Sequence, residues 1–305
     1  MRIHLFLLFA MTLSLAAQAQ TVAERLGYPA NAKLVILHAD DLGVAHSEDA
    51  ASFEALDRHA VSSASIMVPT PWLTEVADYA KVHPDADLGL HLTLTSEWKP
   101  YRWGSVAPSD KVPSLLDPAD TFYSTTEAAA AHAKPEEAEI EMRAQVERAL
   151  AVGLHPTHLD SHMGTVFATP ELFAAYVKVA HDYHLPFLVV RVSDERAKLL
   201  SQLSANDVIF DSVVSANPGV APAQWKTYYL DLLKSVKPGL TYLIVHLGHD
   251  DSEMRAMMGQ NDPFGAAWRQ NDFDVVTSPE FQQALKDNHI VVIRWRDLQK
   301  LVNEK

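Results

Sequence analysis

The stretch Lys33-Leu-Val-Ile-Leu-His-Ala-Asp-Asp-Leu-Gly-Val44 decides how the rest of the chain is interpreted. Its first half is a short apolar run, which is typical of a strand buried on both faces. The run ends in the adjacent carboxylates of Asp40 and Asp41, with His38 before them and Gly43 after them. Such a strand end resembles the start of an active site. A helix cap or a turn is the alternative, because Asp and Gly are common in both.

Residues 1–19 have the features of a secretory signal. Arg2 gives a basic start, residues 5–17 form an apolar run, and Ala17-Gln18-Ala19 fits a small-residue cleavage site. The run is too short to span a membrane, and no later stretch approaches the ~20 apolar residues that spanning requires. We therefore expect a signal peptide at 1–19, a single domain at 20–305 and an exported protein, periplasmic or secreted. An uncleaved anchor is the alternative.

The composition excludes several classes of partner and site. The chain has 39 acidic and 25 basic side chains and a net charge of −14. Such a surface repels polyanions, so nucleic acid and anionic membrane are poor partners. The sequence contains no cysteine, which excludes disulfides and thiolate metal sites. A homo-oligomer stays possible, and the length suits one large α/β domain.

Predicted strands and helices alternate about seven times along the chain. The predicted strands after the first are 61–68, 87–94, 187–192, 208–214, 241–246 and 290–294. The predicted helices are 47–59, with Ser47 as its N-cap, and 74–82, 135–152, 170–183, 221–235 and 278–287. This alternation predicts a parallel sheet covered by helices. A closed (β/α) barrel is favoured over an open doubly wound sheet, because no Gly-rich phosphate loop follows the first strand.

Polar residues gather at the predicted strand ends. Asp41, His91 and His162 offer one carboxylate and two imidazoles, a set that suits a catalytic divalent ion such as zinc. They come from three separate strand ends, so their spacing alone proves little. The alternative for His91 is a core histidine bonded to a backbone carbonyl. Asp160 is a candidate to orient a liganding histidine, and His158 is interpreted as structural.

Asp40 and Asp41 raise a geometric difficulty, because consecutive strand residues face opposite ways. Both serve one site only if the chain already turns there, which Gly43 makes feasible. In that case Asp41 binds the metal while Asp40 acts as the general base on the activated water. His246, at another strand end, is placed to protonate a leaving group.

The segment 96–123 breaks the pattern and contains Trp98, Tyr101 and Trp103. Long loops with aromatic residues are often binding loops. A hydrophobic lid packed on the core is the alternative.

Several motifs together carry a family resemblance. They are His38-Ala-Asp-Asp-Leu-Gly43, Ser62-Ser-Ala-Ser-Ile-Met-Val68, Gly89-Leu-His-Leu-Thr-Leu-Thr95, Pro156-Thr-His-Leu-Asp-Ser-His162 and Leu243-Ile-Val-His-Leu-Gly248. On these motifs the chain resembles the YdjC-like carbohydrate deacetylases, the family of chitooligosaccharide deacetylase and the hopanoid-associated deacetylase. The match runs in order from about Leu34 to Leu301.

The resemblance implies a distorted seven-stranded, TIM-like (β/α) barrel of the polysaccharide deacetylase type. It implies a metal-dependent hydrolase that removes acetyl groups from N-acetylated sugars or oligosaccharides. At the matching positions, one divalent ion (zinc or magnesium) would be held by Asp41, His91 and His162. Asp40 would be the base and His246 the acid.

Further substrate-binding roles follow from that hypothesis. Arg191, at the end of a predicted strand, would help to stabilise the oxyanion. Trp98 and Trp103, with Tyr101, would stack on sugar faces.

The sequence departs from the family pattern at two places. Met163-Gly164 follow His162 where family members often have a second histidine, and Leu247 stands where the family has proline. These departures favour the alternative, an exported carbohydrate- or metal-binding protein that has lost catalysis. A two-carboxylate glycosidase would leave His91 and His162 without a role.

Overall fold

The computed structural model describes residues 20–193, 195–259 and 262–302. The predicted signal peptide at 1–19 lies outside the described residues. Within the described part of the chain, no helix combines the length and the apolar character needed to cross a membrane.

Seven parallel strands form one sheet in the described part of the chain. They are β1 Lys33–Leu42, β2 Ser63–Ile66, β3 Leu88–Leu92, β4 Leu159–Ser161, β5 Ser212–Ser215, β6 Gly239–Val245 and β7 Ile290–Val292. The order is β4-β3-β2-β1-β6-β5, and β7 pairs with β1. β1 is central because β6 pairs along one side, while β7 and β2 pair with its first and second halves. The α/β class and the parallel sheet predicted from sequence are confirmed.

Helices cover the sheet. The described residues form α1 Val22–Arg25, α2 His46–Asp57, α3 Leu73–Val82, α4 Thr126–His132, α5 Pro135–Ala151, α6 Pro170–Asp182, α7 Trp225–Ser235, α8 Ser252–Met258, α9 Ala266–Val276, α10 Pro279–Asp287 and α11 Trp295–Val302. Local signals explain several boundaries. Pro135 occupies the first turn of α5, and the Ser278 hydroxyl accepts the Phe281 N–H at the start of α10.

The N-cap predicted at Ser47 is wrong. α2 has Ala45 as its N-cap residue, with no side-chain cap. The Ser47 hydroxyl instead donates to Asp251 and Glu253, at 2.7 and 2.8 Å, which ties α2 to the start of α8. The Ser47 hydroxyl, which the local sequence pattern predicted to cap α2, therefore makes a tertiary contact instead.

The sheet is curled. Beyond β4, an isolated parallel bridge joins Leu159 to Phe187, and a second joins Val190 to Phe210, just before β5. The strand predicted at 187–192 therefore exists only as bridge residues. The backbone bonds that make these bridges are of ordinary length, for example 2.9 Å from Leu188 N–H to Leu159 O.

The two faces of β1 bury different clusters. Leu34 and Ile36 pack into a cluster with Tyr242 and Trp295, whereas Val35 and Leu37 belong to the larger core. Side chains alternate along a strand, so the face of Leu34 and Ile36 continues through His38 to Asp40. The apolar interior of the curled sheet thus leads directly to the polar residues at its carboxyl edge.

Trp295 fills this inner cluster, and its loss is expected to be costly. The fully buried indole stacks on His158 with ring centroids 4.4 Å apart and contacts Phe210 at 4.9 Å. We expect Trp295→Ala to lower the free energy of unfolding by about 3–5 kcal/mol, measured by urea denaturation. The control Val292→Ala, at an exposed position of β7, should change it by less than about 0.5 kcal/mol. Equal effects of the two changes would contradict this role.

Candidate metal centre and active site

A bulge at the end of β1 turns both aspartates toward one site. The pairing register of β1 with β2 shifts between Ala39 and Leu42. Within that shift Asp41 has a φ of 75°, in the left-handed region that a non-glycine residue rarely adopts. Asp40 Oδ2 and Asp41 Oδ1 consequently lie 3.8 and 3.4 Å from the same atom, His91 Nε2. The turn that sequence placed at Gly43 begins at Asp41 itself.

Asp41, His91 and His162 meet as the sequence predicted. Asp41 Oδ1 lies 3.4 Å from His91 Nε2 and 3.3 Å from His162 Nδ1. The three candidate ligand atoms lie within 4.8 Å of one another, and all three residues are buried. Asp41 Oδ1 has no hydrogen-bond partner among the described residues. A buried carboxylate oxygen of this kind, facing two imidazole nitrogens, fits a bound cation.

In both His91 and His162, the ring nitrogen that points away from Asp41 contacts an acidic residue. His91 Nδ1 lies 2.7 Å from Asp160 Oδ1, and His162 Nε2 lies 3.0 Å from Glu97 Oε2. Each ring therefore keeps one nitrogen free to face Asp41, an arrangement common among metal-binding histidines. The orienting role predicted for Asp160 agrees with this contact, and the backbone-carbonyl alternative for His91 does not. Sequence reasoning missed Glu97, which lies on an irregular segment.

Asp160 also contacts side chains of β1 and β6 in the interior of the sheet. Its Oδ2 accepts the Tyr242 hydroxyl at 2.8 Å and lies 3.2 Å from His38 Nε2. Burial opposes its charge, but the neighbouring His91 and His38 hold the pKa of Asp160 well below its usual range. Asp160 is thus a fixed negative charge behind His91. His158 stacks on Trp295 instead of facing the metal group, in line with its structural interpretation.

The Asp40 carboxylate lies near the imidazoles of His38, His91 and His246. Its Oδ1 lies 3.3 Å from His38 Nε2, and its Oδ2 lies 3.8 Å from His246 Nε2. Burial raises the pKa of Asp40 well above its usual range; His91 opposes this rise, and the charges of Asp160 and Asp41 add to it. A carboxylate in this setting has a greater affinity for a proton than one in water. That property suits a general base.

His246 lies beside Asp40, just beyond the end of β6. Its backbone N–H donates to Asp272 Oδ2 at 3.0 Å, and its ring packs on Trp268 with centroids 5.1 Å apart. Burial lowers the pKa of His246 to about 3, against the opposing charge of Asp41. The imidazole is therefore neutral at pH 7 and must gain a proton before it can act as an acid.

Arg269 is a central residue that sequence reasoning missed. Its guanidinium donates to Asp41 Oδ2 and to Glu48 Oε2, each at 2.8 Å, and only 2% of the residue is exposed. Burial disfavours its charge, but Asp41 and Glu48 raise the pKa of Arg269 above its usual value. The two oxygens of Asp41 thus have different partners. Oδ2 accepts from Arg269, and Oδ1 faces the imidazoles of His91 and His162. Arg269 lies on α9, a helix that the sequence pattern did not predict.

Comparison with known proteins identifies the family. A family model described as YdjC-like protein matches residues 34–287. The chain belongs to the YdjC-like family. A carbohydrate deacetylase of Thermus thermophilus is 33% identical over 286 residues, which cover 90% of this chain and 96% of that protein. One from Thermoanaerobacter pseudethanolicus is 24% identical over 263 residues, covering 86% and 98%.

A solved structure supports the fold of this YdjC-like protein. That structure is of an Enterococcus faecalis protein whose proposed role is cellobiose-phosphate cleavage. The TM-score is 0.75 at 23% identity, and the alignment covers 88% of this chain and 99% of that protein. The resemblance seen in the sequence motifs is therefore confirmed at the level of the family, and the α/β fold is shared with this solved structure.

The departures from the family pattern leave the Asp41, His91 and His162 group intact. Met163 and Gly164 both have left-handed backbone, with φ of 52° and 65°, and Met163 is 45% exposed. The chain thus turns sharply after His162. Leu247 is fully buried beside His246.

Trp98 and Trp103 do not present faces for a sugar. Each is only 4% exposed, and their rings meet edge to face at 5.5 Å. Trp103 donates from Nε1 to Thr95 O and lies 6.1 Å from the His162 ring, while the Arg269 guanidinium lies 5.6 Å from the Trp98 ring. The predicted stacking role is corrected, because the indoles pack inward as a cover over the site. This is the alternative of a hydrophobic lid.

Arg191 is not brought to the site. Its side chain is 60% exposed and its Nε lies 3.3 Å from Asp211 Oδ1. The other oxygen of Asp211 accepts the Leu240 N–H, near the amino end of β6. His246 follows the opposite end of that strand. The oxyanion role predicted for Arg191 is therefore wrong for this arrangement.

Proposed function

We propose that this protein is a metal-dependent hydrolase that removes acetyl groups from N-acetylated sugars or oligosaccharides. The observation that carries the proposal is Asp41 Oδ1, a buried oxygen without a hydrogen-bond partner in the described part of the chain, facing His91 and His162. Nearly full-length similarity to relatives named carbohydrate deacetylases supports the substrate class.

The donor set fits one divalent cation. Imidazole ligands suit zinc, whereas magnesium prefers oxygen ligands and retains several waters, so zinc and magnesium are the two candidates. When bound, the ion would supply Lewis-acid polarisation of the acetyl carbonyl. Arg269 fixes the Asp41 carboxylate for this purpose by engaging its second oxygen.

Asp40 is the proposed general base. It takes a proton from the attacking water as the new C–O bond forms, a task for which its burial and raised pKa prepare it. His246 is the proposed general acid. Its Nε2 lies 3.8 Å from Asp40 Oδ2, so a small approach of the two side chains would let the proton held on Asp40 pass to it. His246 then delivers that proton to the sugar nitrogen as the C–N bond breaks, which releases acetate and the amine.

Three further features of the protein belong to the proposal. The seven strands close into a distorted TIM-like barrel, supported by the two parallel bridges beyond β4. Residues 20–305 act as one catalytic domain. Residues 1–19 are a cleaved signal, supported by their composition, and the mature protein acts in the periplasm or outside the cell.

Metal removal tests the proposal. Acetate release from N-acetylglucosamine and its β-1,4-linked oligomers should disappear after chelation and dialysis. It should return when zinc or magnesium is added, with one ion bound per chain by elemental analysis. Full activity in metal-free protein would exclude the scheme. Saccharide binding without acetate release from any acetylated sugar would instead favour a binding protein.

A further inference from the structure

His38 is a fully buried residue of β1 to which the proposed reaction gives no role. It precedes Asp40 by two positions, so both side chains lie on the same face of the strand. Its partners come from the motif Ser62-Ser-Ala-Ser-Ile-Met-Val68, which the proposed reaction also leaves unused. The two segments are neighbours because β1 pairs with β2, with His38 opposite Ser63.

Two serines of β2 hold the His38 ring by its two nitrogens. Nδ1 lies 2.5 Å from Ser63 Oγ, and Nε2 lies 3.0 Å from Ser65 Oγ. Both serines are fully buried. Residues two apart on a strand face the same side, so one strand supplies both contacts. The ring also packs on Tyr242, with centroids 4.8 Å apart, and its orientation is therefore fixed.

The surroundings of His38 indicate its tautomer. Burial lowers the pKa of the imidazole, against the contact with Asp160, so the ring is neutral at pH 7 and has one N–H. Nε2 lies 3.2 Å from Asp160 Oδ2 and 3.3 Å from Asp40 Oδ1. Two carboxylate oxygens would repel a nitrogen lone pair, so the proton is on Nε2. Nδ1 is then the acceptor, and the Ser63 hydroxyl donates to it.

The Nε2–H of His38 lies beside two carboxylates that repel each other when both are ionised. Asp40 Oδ1 has no hydrogen-bond partner among the described residues, and the N–H of His38 provides the positive end of a dipole beside it. Asp40 Oδ2 lies 3.8 Å from His91 Nε2 and 3.8 Å from His246 Nε2. With Oδ1 beside His38, Oδ2 is the oxygen that faces the site.

We infer that His38 is a positioning residue for the proposed reaction. Ser63 and Ser65 fix its ring. Its Nε2–H keeps the Asp40 carboxylate beside Asp160, with Oδ2 directed at the site. The inference rests on the proposed function, because His38 acts through Asp40 as the general base.

A nucleophilic Ser–His–Asp triad is the alternative explanation of these contacts. In such a triad the serine bonds to Nε2 and the aspartate to Nδ1. Here Ser63 lies at Nδ1 and the carboxylates lie at Nε2. Ser63 is also 0% exposed, so no substrate reaches its hydroxyl. The arrangement therefore serves to orient side chains.

Ser63→Ala tests the inference while leaving His38 and Asp40 in the chain. We expect kcat for acetate release from the β-1,4-linked dimer of N-acetylglucosamine to fall about 10–100-fold, with KM and bound metal unchanged. Ser62→Ala is the matched control, because its hydroxyl bonds to the backbone of Leu37. The control should keep the native kcat, even if thermal unfolding shows a similar loss of stability in both variants.

His38→Gln and His38→Leu test the N–H itself. The glutamine amide can place a donor near the position of Nε2, whereas leucine has no donor. We expect the glutamine variant to retain a larger part of the native kcat than the leucine variant. Thermal unfolding and metal analysis verify that both are folded and loaded. Equal kcat in the two folded variants would overturn the inference.

The tautomer gives a measurement that does not depend on activity. Nitrogen NMR of the native protein, labelled at its histidine rings, should show His38 with a protonated Nε2 and a bare Nδ1. The His38 signals are those that disappear in His38→Gln. A proton on Nδ1 would overturn the inference.

The outcomes separate this inference from the proposed function. Native kcat in Ser63→Ala, or an equal fall in Ser62→Ala, would overturn the role of His38 and leave deacetylation standing. Absence of acetate release by the native protein from any acetylated sugar would reject deacetylation, and the positioning role with it.

Discussion

Asp40→Asn is expected to reduce acetate release by roughly 10²–10⁴-fold while leaving the bound metal in place. Asparagine has nearly the same shape as aspartate but cannot take a proton. Asp40 lies outside the group formed by Asp41, His91 and His162 and approaches His91 Nε2 only to 3.8 Å. The change should therefore remove the base and retain the ligands.

The measurement pairs kinetics with metal analysis. Acetate release is followed for the native protein, for Asp40→Asn and for Asp78→Asn, which makes the same chemical change at an exposed position of α3. Metal content is determined for each. Native turnover by Asp40→Asn would reject Asp40 as the base. Loss of metal would instead mean that Asp40 is itself a ligand, in another possible group with His91 and Asp160.

Asp41→Ala is expected to abolish metal binding and to destabilise the metal-free protein. The change removes the only carboxylate of the proposed ligand set. It also leaves Arg269, which is almost fully buried, with Glu48 as its remaining carboxylate partner at 2.8 Å. Removing one partner of a buried ion pair costs up to about 3–5 kcal/mol when the remaining charge is uncompensated. Because Glu48 still compensates part of the Arg269 charge, we expect a loss of stability toward the lower end of that range.

His162→Ala provides the contrast to Asp41→Ala. It should also lose the metal, but its far-side partner Glu97 is 21% exposed and can be rehydrated. Urea unfolding in the presence of a chelator should therefore show a smaller loss of stability for His162→Ala than for Asp41→Ala. Equal losses would contradict the role assigned to Arg269. Retention of metal by both variants would place the ion elsewhere.

Local pattern predicted much of the scaffold. β1 is a buried strand because its apolar run leaves little polar surface to expose, and α5 and α10 begin where Pro135 and Ser278 indicated. Helices α1, α4, α8, α9 and α11 were not predicted. α9 buries Arg269 and Asp272, so a helix whose inner face carries charges does not show a simple apolar stripe.

The site was predicted in part for a related reason. Residues at the carboxyl ends of parallel strands lie close together, and for this reason Asp41, His91 and His162 could be predicted to share one site. Glu97, on the irregular cover, and Arg269, on an unpredicted helix, carry no such signal. Trp98 and Arg191 were assigned to the substrate because sequence does not reveal which way a loop folds or which carboxylate a cation meets.

The sequence by itself determined the buried strand, the parallel α/β class and the identity of one carboxylate and two imidazoles at strand ends. These follow from composition and spacing over short distances along the chain. Only the tertiary structure decided that Asp41 adopts a left-handed backbone, so that its carboxylate lies beside that of Asp40. Only packing brought Arg269 to the second oxygen of Asp41. The backbone conformation of Asp41 and the position of Arg269 both depend on contacts between segments that are distant in the sequence. A local sequence pattern does not determine the free energies of such contacts.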